Sequence, residues 1–178
     1  MNRLELIAYT AEAQHWGTYL NGFPWKIAGC ATFRQPVSAT TAQVLFTRFA
    51  EKLEKRTGAP LSCFVASERR YSGCGSSPIP LHLHFLAASD QADGLAETAQ
   101  HLWEPRFGNA KVDTYDPGQN GSYYVSKLAC HANGDIFFRN LELMENFSPS
   151  DLIHANQLNP YVPQELKDKT HGVFLRVR

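Results

Sequence analysis

The sequence predicts an α+β fold: a mainly antiparallel central sheet flanked by helices. Three observations carry this. Strand-like and helix-like patterns follow one another in the order β-α-β-β-α-β-α-β. The second and third strand segments are separated only by "YSGCGSSPIP", turn-forming residues that let them pair as a hairpin. And 178 residues at 43% hydrophobic content are enough for one good core.

"KIAGCATFRQPVS" reads as the first strand, ending near Pro36. "SATTAQVLFTRFAEKLEKRTG" then reads as an amphipathic helix. Ser38 is its N-cap, Ala42, Leu45, Phe46, Phe49 and Leu53 form one stripe, and Gly58 stops it. "LSCFVASERR" is the second strand and "PIPLHLHFLAA" the third. "SDQADGLAETAQHLWEPRFG" is expected to be helical, capped by Ser89 or Asp90, although Gly94 opposes it. "NAKVDTYD" alternates like a half-buried strand, and "DPGQNG" is a strong turn. "SYYVSKLACHANG" is a short helix closed by Asn-Gly, and "DIFFRNLEL" a last strand. Residues 1–143 are assigned to one domain. Residues 144–178, richer in Pro, Asn and charge, are expected to be a C-terminal extension packed on it.

Seventeen basic residues balance seventeen acidic ones, so the chain is no general polyanion binder. A mean hydropathy of −0.33 and the lack of a long apolar run argue against a membrane span. Glu5 and Glu12 interrupt the N-terminal apolar residues, so no signal-peptide core is legible and a cytoplasmic location is expected. Cys30, Cys63, Cys74 and Cys130 form no C-x-x-C pair and read as free thiols.

The candidate chemistry begins with two histidines inside an apolar strand. Successive strand side chains alternate faces, so His82 and His84 share one face while Leu81, Leu83 and Phe85 share the other. Taken alone, H-x-H also describes a strand with two idle histidines. Glu68, toward the end of the hairpin partner, could reach the imidazoles and complete a three-ligand set. A surface ion pair of Glu68 with Arg69 or Arg70 is the plainer alternative. Nitrogen and oxygen donors of this kind suit Mn²⁺ or Mg²⁺, with Zn²⁺ also within the set's range. Downstream, Tyr124 and Lys127 lie three residues apart, hence on one helix face, with Tyr123 turned about 100° away. A tyrosine beside an ammonium group and a polarised phosphate can act as a nucleophile.

Taken together and in this order, "GCATFR", "LHLHFL" and "YYVSK" resemble the His-hydrophobic-His (HUH) endonuclease superfamily, particularly its rolling-circle replication initiators. The resemblance spans about residues 16–143. It implies a sheet with the histidines on a central strand, a topology related to ferredoxin-like and RRM folds. It further implies a hydrolase-like endonuclease that nicks and rejoins DNA through a 5′-phosphotyrosine intermediate. His82 and His84 would be metal ligands, Glu68 the carboxylate ligand, Tyr124 the nucleophile and Lys127 its assistant. The partner would be single-stranded or hairpin DNA. The sequence contains no G-x-x-x-x-G-K-S/T, so unwinding would fall to a separate helicase. A DNA-binding groove would have to be assembled locally, from Arg34, Arg69, Arg70, Arg106 and Lys111. Two alternatives stay open: a catalytically inactive nucleic-acid-binding domain of the same fold, and a one-tyrosine HUH transposase. Subunit number is not legible.

Overall fold

A computed structural model describes residues 13–68, 81–119, 121–129 and 136–140. Among them, residues 13–21 form a helix, α1, that the strand-first reading did not predict. Its signal was present in the spacing of Ala13, Trp16 and Leu20, one helical face of which Ala13 and Leu20 are buried.

Strand β1 (Ile27–Thr32) leads into α2 (Ala39–Thr57), where the local chemistry follows expectation. The Ser38 side chain accepts from the Thr41 backbone N–H at 3.0 Å, satisfying a donor that the first helical turn leaves open. Gly58, at φ 75°, takes the left-handed conformation that ends the helix, and its N–H returns to the Glu54 carbonyl. Ala42, Phe46, Phe49, Ala50 and Leu53 are buried. Then come β2 (Ser62–Glu68) and β3 (His82–Ala88). Helix α3 (Leu95–Trp103) starts later than predicted. Its N-cap is Gly94, at φ 65°, whereas Ser89 accepts a bond from Gln91 N–H and so shapes the preceding turn. After β4 (Ala110–Thr114), the predicted turn is a 3-10 segment (Pro117–Gln119). Asp116 accepts there from the Gly118 N–H at 2.8 Å. Helix α4 (Gly121–Ala129) and β5 (Ile136–Arg139) complete the described elements. The predicted Asn133-Gly134 stop, Cys74, Cys130 and the proposed extension 144–178 lie outside the described residues.

The strands form one sheet in the order β4-β1-β3-β2-β5, and every pair is antiparallel. The expected α+β class therefore holds, with the histidine strand β3 in the centre. Pleating sorts the core into two layers. Ile27, Ala31, Cys63, Val65, Leu83, Phe85 and Ala87 point to one face, beneath Phe46 and Phe49 of α2 and Trp103 of α3. Burying each large side chain of this set contributes roughly 1.5–3 kcal/mol. On the opposite face, Phe64, Ala66 and Leu86 meet Leu20 of α1 and Val125 of α4. The candidate site lies on this second face, at the end of the sheet where β3 begins and β2 stops. Among the described residues no helix is long and apolar enough to cross a membrane.

Candidate active site

Register brings the proposed ligands together before any side chain is considered. Glu68 of β2 is directly opposite His82 of β3, and His84 follows two residues on, so all three project from the same face. On the other side of β3, Cys30 of β1 lies opposite His84 and Thr32 opposite His82.

The carboxylate is not a surface charge. Glu68 is 8% exposed and His84 6% exposed, and Glu68 Oε2 lies 3.4 Å from His84 Nε2. A carboxylate withdrawn this far from water needs a compensating donor or cation nearby. Cys30 Sγ approaches the same His84 nitrogen at 3.9 Å. The His82 and His84 rings are nearly parallel, 18° apart in orientation, with centroids 6.5 Å apart. Among the described residues, buried His82 Nδ1 has no hydrogen-bond partner; a water, or a cation at its lone pair, would satisfy it. Among the described residues no three His, Cys, Asp or Glu side chains are gathered tightly enough to hold a metal. The backbone therefore puts two imidazoles and a carboxylate on one patch of the sheet without gathering them into a closed ligand set.

Helix α4 lies across this patch. Tyr124 is 51% exposed and meets His84 edge-on, with centroids 5.4 Å apart and planes at 66°. Tyr123 turns the other way. Its hydroxyl lies 3.4 Å from Thr18 Oγ1 of α1, and its ring covers Gly17, where a Cβ would collide with it. This division follows from the helical angle between consecutive residues. The phenol beside the histidines is Tyr124. Lys127 belongs to the same helix, and its side chain lies outside the described residues.

Two further contacts hold α4 in place. Tyr115, just past β4, shares a 2.6 Å hydrogen bond with the buried Ser122 hydroxyl. Burial raises the Tyr115 phenol above its ordinary value of 10.0, outweighing the Ser122 hydrogen bonds that lower it. Val125 anchors the helix on the core. Beside Tyr124 a pocket of about 170 Å³ opens over β1 and β4, lined by Ala28, Cys30, His84, Lys111, Asp113 and Tyr124 among others.

The basic residues proposed for a DNA groove are only partly brought together. Lys111 lines the pocket, its ammonium 3.4 Å from Asp113 Oδ2. Arg34 and Arg106 lie in two segments joined at the His82 end of the sheet by the Arg34 N–H to Phe107 carbonyl bond. Both side chains are exposed, and both donate to backbone carbonyls near the end of α3, Arg34 to Glu104 and Arg106 to Leu102. Arg69 and Arg70 fall outside the described residues. Cys30, Asp113, Tyr115 and Ser122 had not been singled out from sequence for the site. Period-2 alternation put Cys30 on a definite face of β1, but only the strand order makes that face the histidine face. No family model, curated protein or solved structure matches the chain.

Proposed function

We propose that this chain is a metal-dependent nuclease that nicks and rejoins single-stranded or hairpin DNA through Tyr124, initiating rolling-circle replication. One observation carries the reading: an imidazole–carboxylate pair, His84 and Glu68, shares a sheet face with a solvent-accessible tyrosine whose ring touches that imidazole. His82, His84 and Glu68 would hold a divalent cation, Mn²⁺ or Mg²⁺ by donor type. When bound, it supplies charge neutralisation and in-line orientation of the scissile phosphate.

The chain's own residues do the rest. Tyr124 attacks phosphorus with its phenolic oxygen and loses its proton as the P–O bond forms. The bond to the 3′-oxygen breaks, and that oxygen takes up a proton on leaving as a 3′-hydroxyl. The 5′-phosphate remains esterified to Tyr124, which conserves the bond energy for rejoining without ATP. Lys127, three residues on in the same helix, would neutralise phosphate charge. Tyr123, engaged by Thr18 and Gly17, takes no part.

The test is incubation of the intact protein with an end-labelled pool of single-stranded DNA and MnCl₂, followed by denaturing electrophoresis and mass spectrometry of any peptide–DNA adduct. A Tyr124-linked adduct that vanishes in Tyr124→Phe and on chelation is the expected result. An adduct of equal yield in Tyr124→Phe refutes the nucleophile. One second reading is a non-catalytic nucleic-acid-binding domain, to which the exposed Tyr124 ring would offer a stacking face. DNA binding that ignores metal and leaves every strand uncut would identify it.

A further inference from the structure

We propose that the pocket between β1, β4 and α4 is a base-reading subsite that takes a guanine from the nucleotide flanking the scissile phosphate. The inference rests on the nicking role of Tyr124, because Tyr124 is both the proposed nucleophile and one wall of the pocket. Whatever base enters must therefore belong to a nucleotide next to the bond being cut.

The pocket's size and shape suit one planar ring system. At about 170 Å³ it falls well below the roughly 300–1,000 Å³ of pockets that hold drug-sized ligands. Its floor on β1 is made of small residues, Ala28, Gly29 and Cys30, and its wall is the exposed Tyr124 ring, a stacking surface open to any base. Selectivity must come from the rim. There Lys111 and Asp113, two residues apart on β4 and hence on one face, place an ammonium 3.4 Å from a carboxylate oxygen. These side chains are 82% and 66% exposed. An ion pair this wet contributes little to the fold, so its members can exchange each other for a ligand at small cost.

An ionised carboxylate only accepts hydrogen bonds, and an ammonium only donates them. Guanine matches this pair through its Watson–Crick edge, which single strands leave open. Its N1–H and N2 amino group are adjacent donors for both Asp113 oxygens, and its neighbouring O6 accepts from Lys111. Adenine and cytosine each offer one amino donor beside acceptors, and thymine a lone N–H between two carbonyls. Only guanine presents two adjacent donors followed by an acceptor.

Binding of the intact protein to fluorescent oligothymidylate carrying one central guanine, adenine, cytosine, inosine or 7-deazaguanine tests the subsite without requiring cleavage. The guanine oligonucleotide should bind about tenfold more tightly than the adenine or cytosine ones. Inosine, which lacks the N2 amino group, should lose most of that preference, and 7-deazaguanine should keep it because N7 is not read. Asp113→Ala should level the bases. It also frees the Lys111 charge, so the ratio between bases is the readout and not absolute affinity. Equal binding of all oligonucleotides, including none at all, overturns the proposal, as does a guanine preference that survives Asp113→Ala. Guanine preference in a protein that forms no adduct would retain the subsite and remove the nuclease. Adduct formation without base preference would do the reverse.

Discussion

Replacing Tyr115 by Phe removes one oxygen, yet it should loosen the helix that carries the proposed nucleophile. The Tyr115 hydroxyl and Ser122 Oγ are 2.6 Å apart, and Ser122 has no exposure to solvent. Ser122 lies in the first turn of α4, two residues before Tyr124. Phe preserves the ring contact with Gly121, where a Cβ would come within 3.1 Å of the Tyr115 ring. The loss is then confined to the hydrogen bond and to a buried serine hydroxyl left with a poorer partner. That costs about 1–2 kcal/mol, the lower part of the range for an unsatisfied buried group. For a chain of this length it lowers Tm by about 2–8 °C. Urea unfolding of wild type, Tyr115→Phe, Ser122→Ala and the double variant measures the coupling directly. We expect the pair to couple by about 1 kcal/mol, because removing both partners costs little more than removing one. Single-variant costs that add to within about 0.5 kcal/mol would refute the tether. Titration gives a second readout. The folded-state value of Tyr115 is raised above 10.0, so its contribution is complete below pH 10 and is lost as pH rises through the raised value. The stability gap between wild type and Tyr115→Phe should therefore narrow under alkaline conditions.

Glu68→Gln should abolish stabilisation by Mn²⁺, which at a hundredfold excess over Kd amounts to about 2.7 kcal/mol for a single site. A thermal-shift titration with MnCl₂ that is identical in wild type and variant would remove Glu68 from the ligand set. Trp103→Ala should cost about 3–5 kcal/mol by urea unfolding. It empties a site packed by Phe33, Phe46, Phe49 and Phe107, and it removes the indole N–H that donates to the Thr32 carbonyl at 3.1 Å. Ser38→Ala should cost about 1 kcal/mol through the lost cap on α2, with Ser38→Gly losing only a few tenths.

What could be read from the sequence was what local periodicity controls. The α2 stripe, its Ser38 start and Gly58 stop are consequences of residues within a few positions of each other, as is the shared face of His82 and His84. Glu68 was read from its position in a hairpin, and the β2–β3 register pairs it with His82. The rest depends on which strands become neighbours. β1 inserts beside β3 and brings Cys30 to His84, and β4 then joins β1 and supplies Lys111 and Asp113. No local pattern encodes that order. The late start of α3 reflects competition between signals. Ser89 is a good cap by type, but it spends its hydroxyl on a turn, and Gly94 supplies the left-handed residue at the helix start. Arg34 and Arg106 were read by charge alone, whereas geometry employs both as donors to backbone carbonyls near the end of α3.

The central position of β3 divides the site into parts with different freedom. β3 is hydrogen-bonded to β1 on one side and β2 on the other, and its seven residues are buried apart from half-buried His82. Exposing its amides to solvent exchange requires breaking the sheet through its middle, so His82 and His84 belong to the last cooperative unit to open. Tyr124 stands on a nine-residue helix that packs on one sheet face without joining the hydrogen-bonded ladder. In the proposed reaction, the group that forms and releases an ester with DNA would thus ride on the packed helical layer. The imidazoles proposed to hold the cation would ride on the hydrogen-bonded sheet.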